Sequence, residues 1–346
     1  MTKEVQNPNN ESKQRLGASD LGIRDSFGIR DSSFGFFFRR YFRELSVASV
    51  LCLVLLAMAV FAPGFFDAQP LLSRLTREAP ALVVACGMAL VMISRQIDIS
   101  VGSQFAVCGV CAGLLAASGW PLALVLILAI FSGAALGAFN GALVAGLRLP
   151  SIVVTLATMV IWREGLRWKR QGKFINLPDK VQWFGLSQVH GQLVLIGLAL
   201  AILVLLVLAT RYLSAGRFVY AVGSDAEAAR LVGIRPQLTT FLVFVFTGSL
   251  SGFASVMNMV QSPQLDPKSG TGIELKTIAA AVVGGVAVSG GRGNLLGVLA
   301  GLLLLACINP ALTYLHVEAY WEKAIQGAVI LLAVIADGLR NRSRPQ

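Results

Sequence analysis

RYLSAGRFVYAVGSDAEAARLVGIRP, Arg211–Pro236, is a polar, basic island between two long runs without formal charge. No Asp, Glu, Lys or Arg occurs between Lys180 and Arg211, nor between Arg235 and Asp266. A bilayer core takes about 20 apolar residues per helix. Each flank is long enough for a span, and the island falls outside the hydrocarbon. Within the island, residue types mark both ends of a short helix. Ser224 suits an N-cap, and Glu227 completes a capping-box pattern with it. Asp225 suits the positive helix N-terminus. Gly233 is placed to stop the helix, with Pro236 soon after. That leaves about eight helical residues, or roughly 12 Å. Ala228, Leu231 and Val232 share one face. Such a helix is either an ordinary loop helix or a handle for a soluble partner.

The rest of the chain agrees with a membrane protein. Its 346 residues are 55% hydrophobic and only 14% charged, against about 25% charged on average. Mean hydropathy is +0.72. The formal charge of +11 is spread through the connections between apolar runs. That is the loop bias of a membrane protein rather than a nucleic-acid surface. Cys52, Cys86, Cys108, Cys111 and Cys307 all lie in apolar runs. Cys108 and Cys111 form a CxxC with no second pair and no nearby histidine, so packed thiols are expected and no metal site. His190 and His316 stand alone.

The expected fold is all-α, a polytopic transmembrane helical bundle of about ten segments, some broken or re-entrant. The candidates are 45–66, 79–94, 97–117, 120–147, 149–166, 192–210, 238–260, 274–290, 294–315 and 321–337. Residues 1–43 read as a flexible polar tail carrying a small repeat, GIRDSFGIRDS, at Gly22–Ser32. Residues 44–340 read as one transmembrane domain, with a short helix outside the bilayer near 224–233, and 341–346 as a basic tail. Only Arg95 and Gln96 separate segments two and three, which suggests one broken or re-entrant unit. Segment eight, ELKTIAAAVVGGVAVSGG, is rich in small residues, as backbone that packs against protein at membrane depth is.

With the N-terminus inside, ten crossings place Arg95, Arg148, the island, Arg292 and Arg340, Arg342 and Arg344 on the inner face, with both termini cytoplasmic. One connection departs from the positive-inside rule. The 162–182 stretch falls outside, yet Arg163, Arg167, Lys169, Arg170, Lys173 and Lys180 outnumber Glu164 and Asp179, giving +4.

No motif supplies chemistry. There is no GxxxxGK[ST], and GGVAVSGGRG near Gly284–Gly293 lacks the lysine and hydroxyl of a P-loop. Neither GxSxG nor HExxH occurs. The chain is therefore expected to be non-catalytic, to bind no cofactor and not to hydrolyse ATP itself. Two acids border apolar segments. Asp98 lies in IDISVG and is either a buried functional group or interfacial, with Arg95 close enough to pair. Glu274 opens segment eight, where an interfacial position is expected. Asn140, Thr155, Thr158 and Ser249 are uncharged polar groups in apolar segments. They either line a path for a neutral polyhydroxylated solute or join helices as polar glue. No acid recurs in mid-segment, which argues against a proton-driven carboxylate relay.

Five stretches in fixed order resemble one family. They are IDISVGS (97–103), FNGALVAGLRLPSIVVTLATM (139–159), GRFVYAVGSDAEAARLVGI (216–234), GTGIELKTIAAAVVGGVAVSGGRGNLLG (270–297) and AVILLAVIAD (328–337). The family is the permease subunits of ABC importers for monosaccharides, the ribose, rhamnose and autoinducer-2 group. The chain departs from it at Ser224–Asp225, where relatives commonly carry Gly–Asn. The resemblance implies a bacterial inner-membrane subunit that pairs with a second permease copy or paralogue. It implies a solute delivered by an extracytoplasmic sugar-binding protein, and a cytoplasmic ATPase, in this group usually a tandem fusion. Ser224–Gly233 then matches the coupling helix. Leu231 and Val232 would enter the ATPase groove, with Asp225, Glu227 and Arg230 at its rim. The 162–188 stretch is most similar to rhamnose-type permeases. The rival reading, a stand-alone secondary transporter or channel for a small neutral solute, requires no ATPase.

Overall fold

The computed structural model describes residues 33–342 apart from 62, 315–317 and 319. Most of the expected N-terminal tail, its repeat, His316 and residues 343–346 lie outside the described residues. The described chain is almost wholly helical. Its helices are α1 (Ser33–Phe61), α2 (Ala68–Ile93), α3 (Val101–Ala117), α4 (Leu122–Gly141), α5 (Ser151–Arg170), α6 (Gln188–Tyr212), α7 (Ser214–Ser224) and α8 (Ala226–Leu231). They continue as α9 (Pro236–Met259), α10 (Ile273–Val283), α11 (Leu295–Ala306), α12 (Ile308–Tyr314) and α13 (Trp321–Arg342). Two short strands, β1 (Ile175–Asn176) and β2 (Gln264–Leu265), pair antiparallel. Every one of the ten expected segments contains helix, and Arg43–Gln346 form one compact unit. α1 begins at Ser33, so helix reaches into the stretch expected to be an unstructured tail.

Among the described residues, five helical stretches are long and apolar enough to cross a bilayer: Ala68–Ile93, Leu122–Gly146, Gln188–Tyr212, Pro236–Met259 and Leu295–Tyr314. The central one is α9, which packs against α2, α3 and α4. Glycine spacing explains how closely it does so. Gly133 and Gly137 of α4 meet Gly248 of α9 backbone to backbone, and a Cβ at any of these positions would overlap a facing carbonyl. Without a hydrophobic drive between helices in lipid, such close backbone approach is what holds them together.

α2 contains Pro80, which has no N–H to give the carbonyl of Thr76. The Gln261 side chain supplies the missing donor, with Nε2 3.3 Å from Thr76 O. This bond places the connection after α9 at the same end of the bundle as the start of α2. Pairing of β1 with β2 places the 171–187 connection there too. At the opposite end, Gly291 N–H donates to Ile93 O at 2.8 Å, and Gly223 abuts the same carbonyl. The two ends are called below the hairpin end and the α8 end. From α2 to α11, successive segments alternate between them.

Two helices are short, α3 with 17 residues and α10 with 11, and their starts meet inside the bundle. Gly109 of α3 packs on Ser255 of α9. α3 begins eight residues earlier, about 12 Å nearer the α8 end. That leaves its first turn well short of the start of α9. α10 begins beside it, because Gly102 and Gly270 are in backbone contact. From this meeting point α3 runs to the hairpin end and α10 to the α8 end. The links 94–100 and 266–272 are thus non-helical backbone that leads from the ends of the bundle into its interior. This is the broken unit that the short spacer at Arg95–Gln96 suggested.

The charge anomaly has a local cause. α5 continues to Arg170 and ends on Gln171 in the left-handed region. Arg167, Lys169 and Arg170 therefore occupy the last turn, where the helix dipole favours cations. Arg163 is a full turn earlier and turns into the bundle.

Candidate functional site

The first turn of α3 holds a buried polar network. Asp98 Oδ1 accepts from the N–H and the hydroxyl of Ser100, and Oδ2 accepts from Gln104 Nε2 at 3.0 Å. The hydroxyl of Ser100 accepts in turn from Gln104 Nε2 at 2.8 Å and from Asn140 Nδ2 at 2.7 Å. Asp98, Ser100, Gln104 and Asn140 are all buried. The carboxylate sits where the α3 dipole is positive, which lowers the cost of holding it out of water. Asp98 is thus the buried group, not the interfacial one, and it takes its partners from α3 rather than from Arg95.

Glu274 corrects an expectation. It is buried in the first turn of α10, not interfacial, because α10 starts inside the bundle. Its Oε1 accepts from Gly272 N–H at 3.2 Å, and Oε2 lies 3.7 Å from Arg163 Nη2. The missing side chain of Gly102 makes room for that carboxylate, which a Cβ there would overlap. Two residues on, Lys276 Nζ is 2.6 Å from Glu78 Oε1. This second pair lines a cavity of about 580 Å³ with Phe65, Arg74, Asn309 and Tyr314. The first turn of α10 is thus tied to α5 on one side and to α2 on the other.

Of the six candidate pathway residues, five gather around these two helix starts and one does not. Thr155 and Thr158 are buried on the neighbouring face of α5. Thr155 Oγ1 donates to Ser151 O at 2.8 Å and reaches Ile97 O at 3.3 Å. Thr158 Oγ1 donates to Val154 O at 3.1 Å. Thr155 thus reaches from α5 to the backbone before α3, whereas the bonds of Thr158 stay within α5. Ser249 lies apart. Its hydroxyl donates to Val245 O, and it lines a separate apolar cavity of about 430 Å³ with Leu206, Val219 and Phe246.

Four buried polar atoms at the site have no hydrogen-bond partner: Gln104 Oε1, Asn140 Oδ1, Glu274 Oε2 and Arg163 Nη2. Such atoms cost free energy unless something satisfies them. Ser100, Gln104 and Arg163 were not among the expected site residues. Polar Ser100, Ser103 and Gln104 interrupt an apolar run beside Asp98, which was a usable signal. Arg163 was hidden among loop cations.

The α8 end carries the second site. Asp225, not Ser224, is the N-cap: its Oδ1 accepts from the N–H of Glu227 at 2.9 Å and of Ala228 at 3.0 Å. Ser224 instead ends α7, so the helix is six residues long rather than about eight. Glu227 does not close a capping box but pairs with Arg230 at 3.1 Å. Gly233, at φ +85°, stops the helix as expected. Ala229 is buried beneath, while Leu231 and Val232 are 85% and 76% exposed. Tyr220 anchors the preceding α7, donating to Gly293 O at 2.9 Å. Burial pushes its phenol above the ordinary value, so it remains a donor.

A bundle in which two short helices start together over buried polar groups, with a capped helix at one end, is the architecture of a polytopic helical membrane protein. The comparisons carry this further. Residues 71–334 match the family described as branched-chain amino acid transport system / permease component, and the chain belongs to it. It is 34% identical over 300 residues to the autoinducer 2 import system permease protein LsrC of Enterobacter sp. (strain 638), covering 86% of this chain and 87% of that protein. The LsrC of Photorhabdus laumondii is 32% identical over 304 residues, covering 86% and 89%. That of Escherichia coli O9:H4 is 32% identical over 298 residues, covering 84% and 86%. These relatives place the chain among the monosaccharide-type permeases of ABC importers. No solved structure matches it significantly.

Proposed function

We propose that this chain is the translocation subunit of an ATP-driven importer for a neutral monosaccharide or a similarly hydroxylated small solute. α8 is its coupling helix, and the α8 end faces the cytoplasm. A separate ATPase, in this group commonly a tandem fusion, docks on Leu231 and Val232, with Asp225, Glu227 and Arg230 around them. An extracytoplasmic binding protein delivers solute at the hairpin end, and a second permease copy or paralogue completes the pathway. The relatives' printed names point to autoinducer 2, and the sequence of the 162–188 stretch to rhamnose. Both are hydroxylated and uncharged, which suits uncharged acceptors such as Gln104 and Asn140.

The observation that carries the reading is the exposure of Leu231 and Val232 on a capped helix. Two large apolar side chains held clear of the bundle on an ordered helix are suited to a groove in another protein. The chain's lack of a P-loop means that the motor must come from such a partner.

Reconstitution tests this. Proteoliposomes containing the chain, its cognate ATPase and the binding protein are expected to take up solute only with internal ATP. Uptake by the purified chain alone under an ion gradient would favour a secondary transporter and overturn the proposal. Equilibrium binding of D-ribose, L-rhamnose and autoinducer 2 to the binding protein identifies the solute.

A further inference from the structure

We infer that Arg163 and Glu274 form a donor–acceptor grip for two neighbouring hydroxyls of the transported solute, an inference that rests on the importer reading above. Arg163 comes from α5 and Glu274 from the first turn of α10. Their facing atoms, Nη2 and Oε2, stand 3.7 Å apart, beyond hydrogen-bond distance. Each of these two atoms is buried and without a hydrogen-bond partner. The side chains are 21% and 10% exposed, so water does not fully repay what burial costs. An ion pair built only to hold α10 against α5 would be expected to close to about 2.8 Å with aligned hydrogen bonds. The neighbouring Lys276–Glu78 pair does close, at 2.6 Å. The two pairs flank the same turn of helix, so the open one is not explained by a lack of freedom in α10.

A vicinal diol has the geometry this gap requires. One hydroxyl donates to Glu274 Oε2, the other accepts from Arg163 Nη2, and neither side chain needs to change its charge. Surroundings restrict what else can bind. Glu274 beside Arg163 makes the pair neutral overall, which disfavours a free anion or cation. Gly102 packs its backbone directly against the carboxylate, where a Cβ would overlap Oε2. The Asp98 network begins four residues before Gly102 and ends in two unpartnered acceptors, Gln104 Oε1 and Asn140 Oδ1.

The test compares ligands as well as variants. The complete importer is reconstituted, and the probe among D-ribose, L-rhamnose and autoinducer 2 that drives ATP-dependent uptake is paired with its mono-deoxy derivatives. Derivatives still bound by the binding protein are retained, and rates are taken with that protein saturated. Wild type is expected to transport one derivative about tenfold more slowly than the parent, the effect of losing one hydrogen bond to a charged group. In Glu274→Gln the parent slows and the two rates converge. A pair that only braces α10 predicts an equal fall for parent and derivative, with their ratio unchanged, and that result overturns the grip. If Glu274→Gln does not assemble, Arg163→Lys carries the same comparison with the same two outcomes. Absence of ATP-dependent uptake in wild type would instead overturn the importer reading.

Discussion

Gly223 and Ile93 touch backbone to backbone: a Cβ at 223 would overlap the carbonyl oxygen of Ile93, which also accepts from Gly291 N–H. Three strands of connectivity meet there. They are the end of α2 just before the Asp98 network, the end of α7 just before α8, and the loop that follows α10. Movement of α8 by a docked motor would be passed first to this junction. It lies at the end of α2, five residues before Asp98, and beyond the far end of α10, whose first turn holds Glu274.

Gly223→Val is expected to break that junction. Overpacking against a backbone carbonyl cannot be relieved by a rotamer change, so stability should fall by about 2 kcal/mol, and uptake should be lost. Gly165→Ala is the control, since nothing lies within 4 Å of a Cβ there. Thermal unfolding in detergent and uptake in proteoliposomes read both. Wild-type behaviour of Gly223→Val would remove the junction from the mechanism.

Leu231→Asp and Arg230→Glu are expected to abolish uptake while leaving the protein inserted and its melting temperature unchanged. Both side chains are exposed, so the fold should change by less than about 0.5 kcal/mol. Co-purification of the ATPase should be lost in parallel. Full uptake with normal co-purification in both variants would sink the coupling role of α8.

Asp225→Ala should weaken α8 by about 1 kcal/mol, the usual value of an N-cap, and Ser224→Ala should not. Hydrogen exchange at the amides of Glu227 and Ala228 reports this directly. Faster exchange in Ser224→Ala than in Asp225→Ala would reverse the cap assignment.

Gln261→Leu leaves Thr76 O without the donor that Pro80 cannot supply, at a cost of about 1–3 kcal/mol. In a Pro80→Ala background the helix regains its own N–H, and the same substitution should cost much less. A double-mutant cycle on unfolding free energy measures the difference. Equal costs in both backgrounds would show that the bond is incidental.

Asn140→Leu separates glue from pathway. It removes one bond to Ser100 Oγ and an acceptor that is unpartnered, so stability should change by no more than about 1 kcal/mol. Uptake should nevertheless fall at least tenfold if Asn140 meets the solute. Unaltered uptake would assign Asn140 to helix packing alone.

Sequence alone was enough for the fold class and the segment order, because hydropathy over about 20 residues is a local property with a direct physical cause in the bilayer. It was also enough for a short helix in the island, stopped at Gly233. The tertiary structure decided what local pattern cannot carry. Asp225 rather than Ser224 became the cap because α7 runs helically through Ser224 and takes it out of the capping position. Arg163 left the loop cations because α5 continues past the apolar run and turns it toward α10. Glu274 went inside because α10 starts where α3 starts, through a Gly102–Gly270 contact between residues 168 positions apart. Ser249 dropped out because α9 points it toward α6 and α7. Burial, charge pairing and unpartnered atoms depend on which segments meet, and in lipid that is settled by close packing of small residues across helices, a relationship no single segment contains.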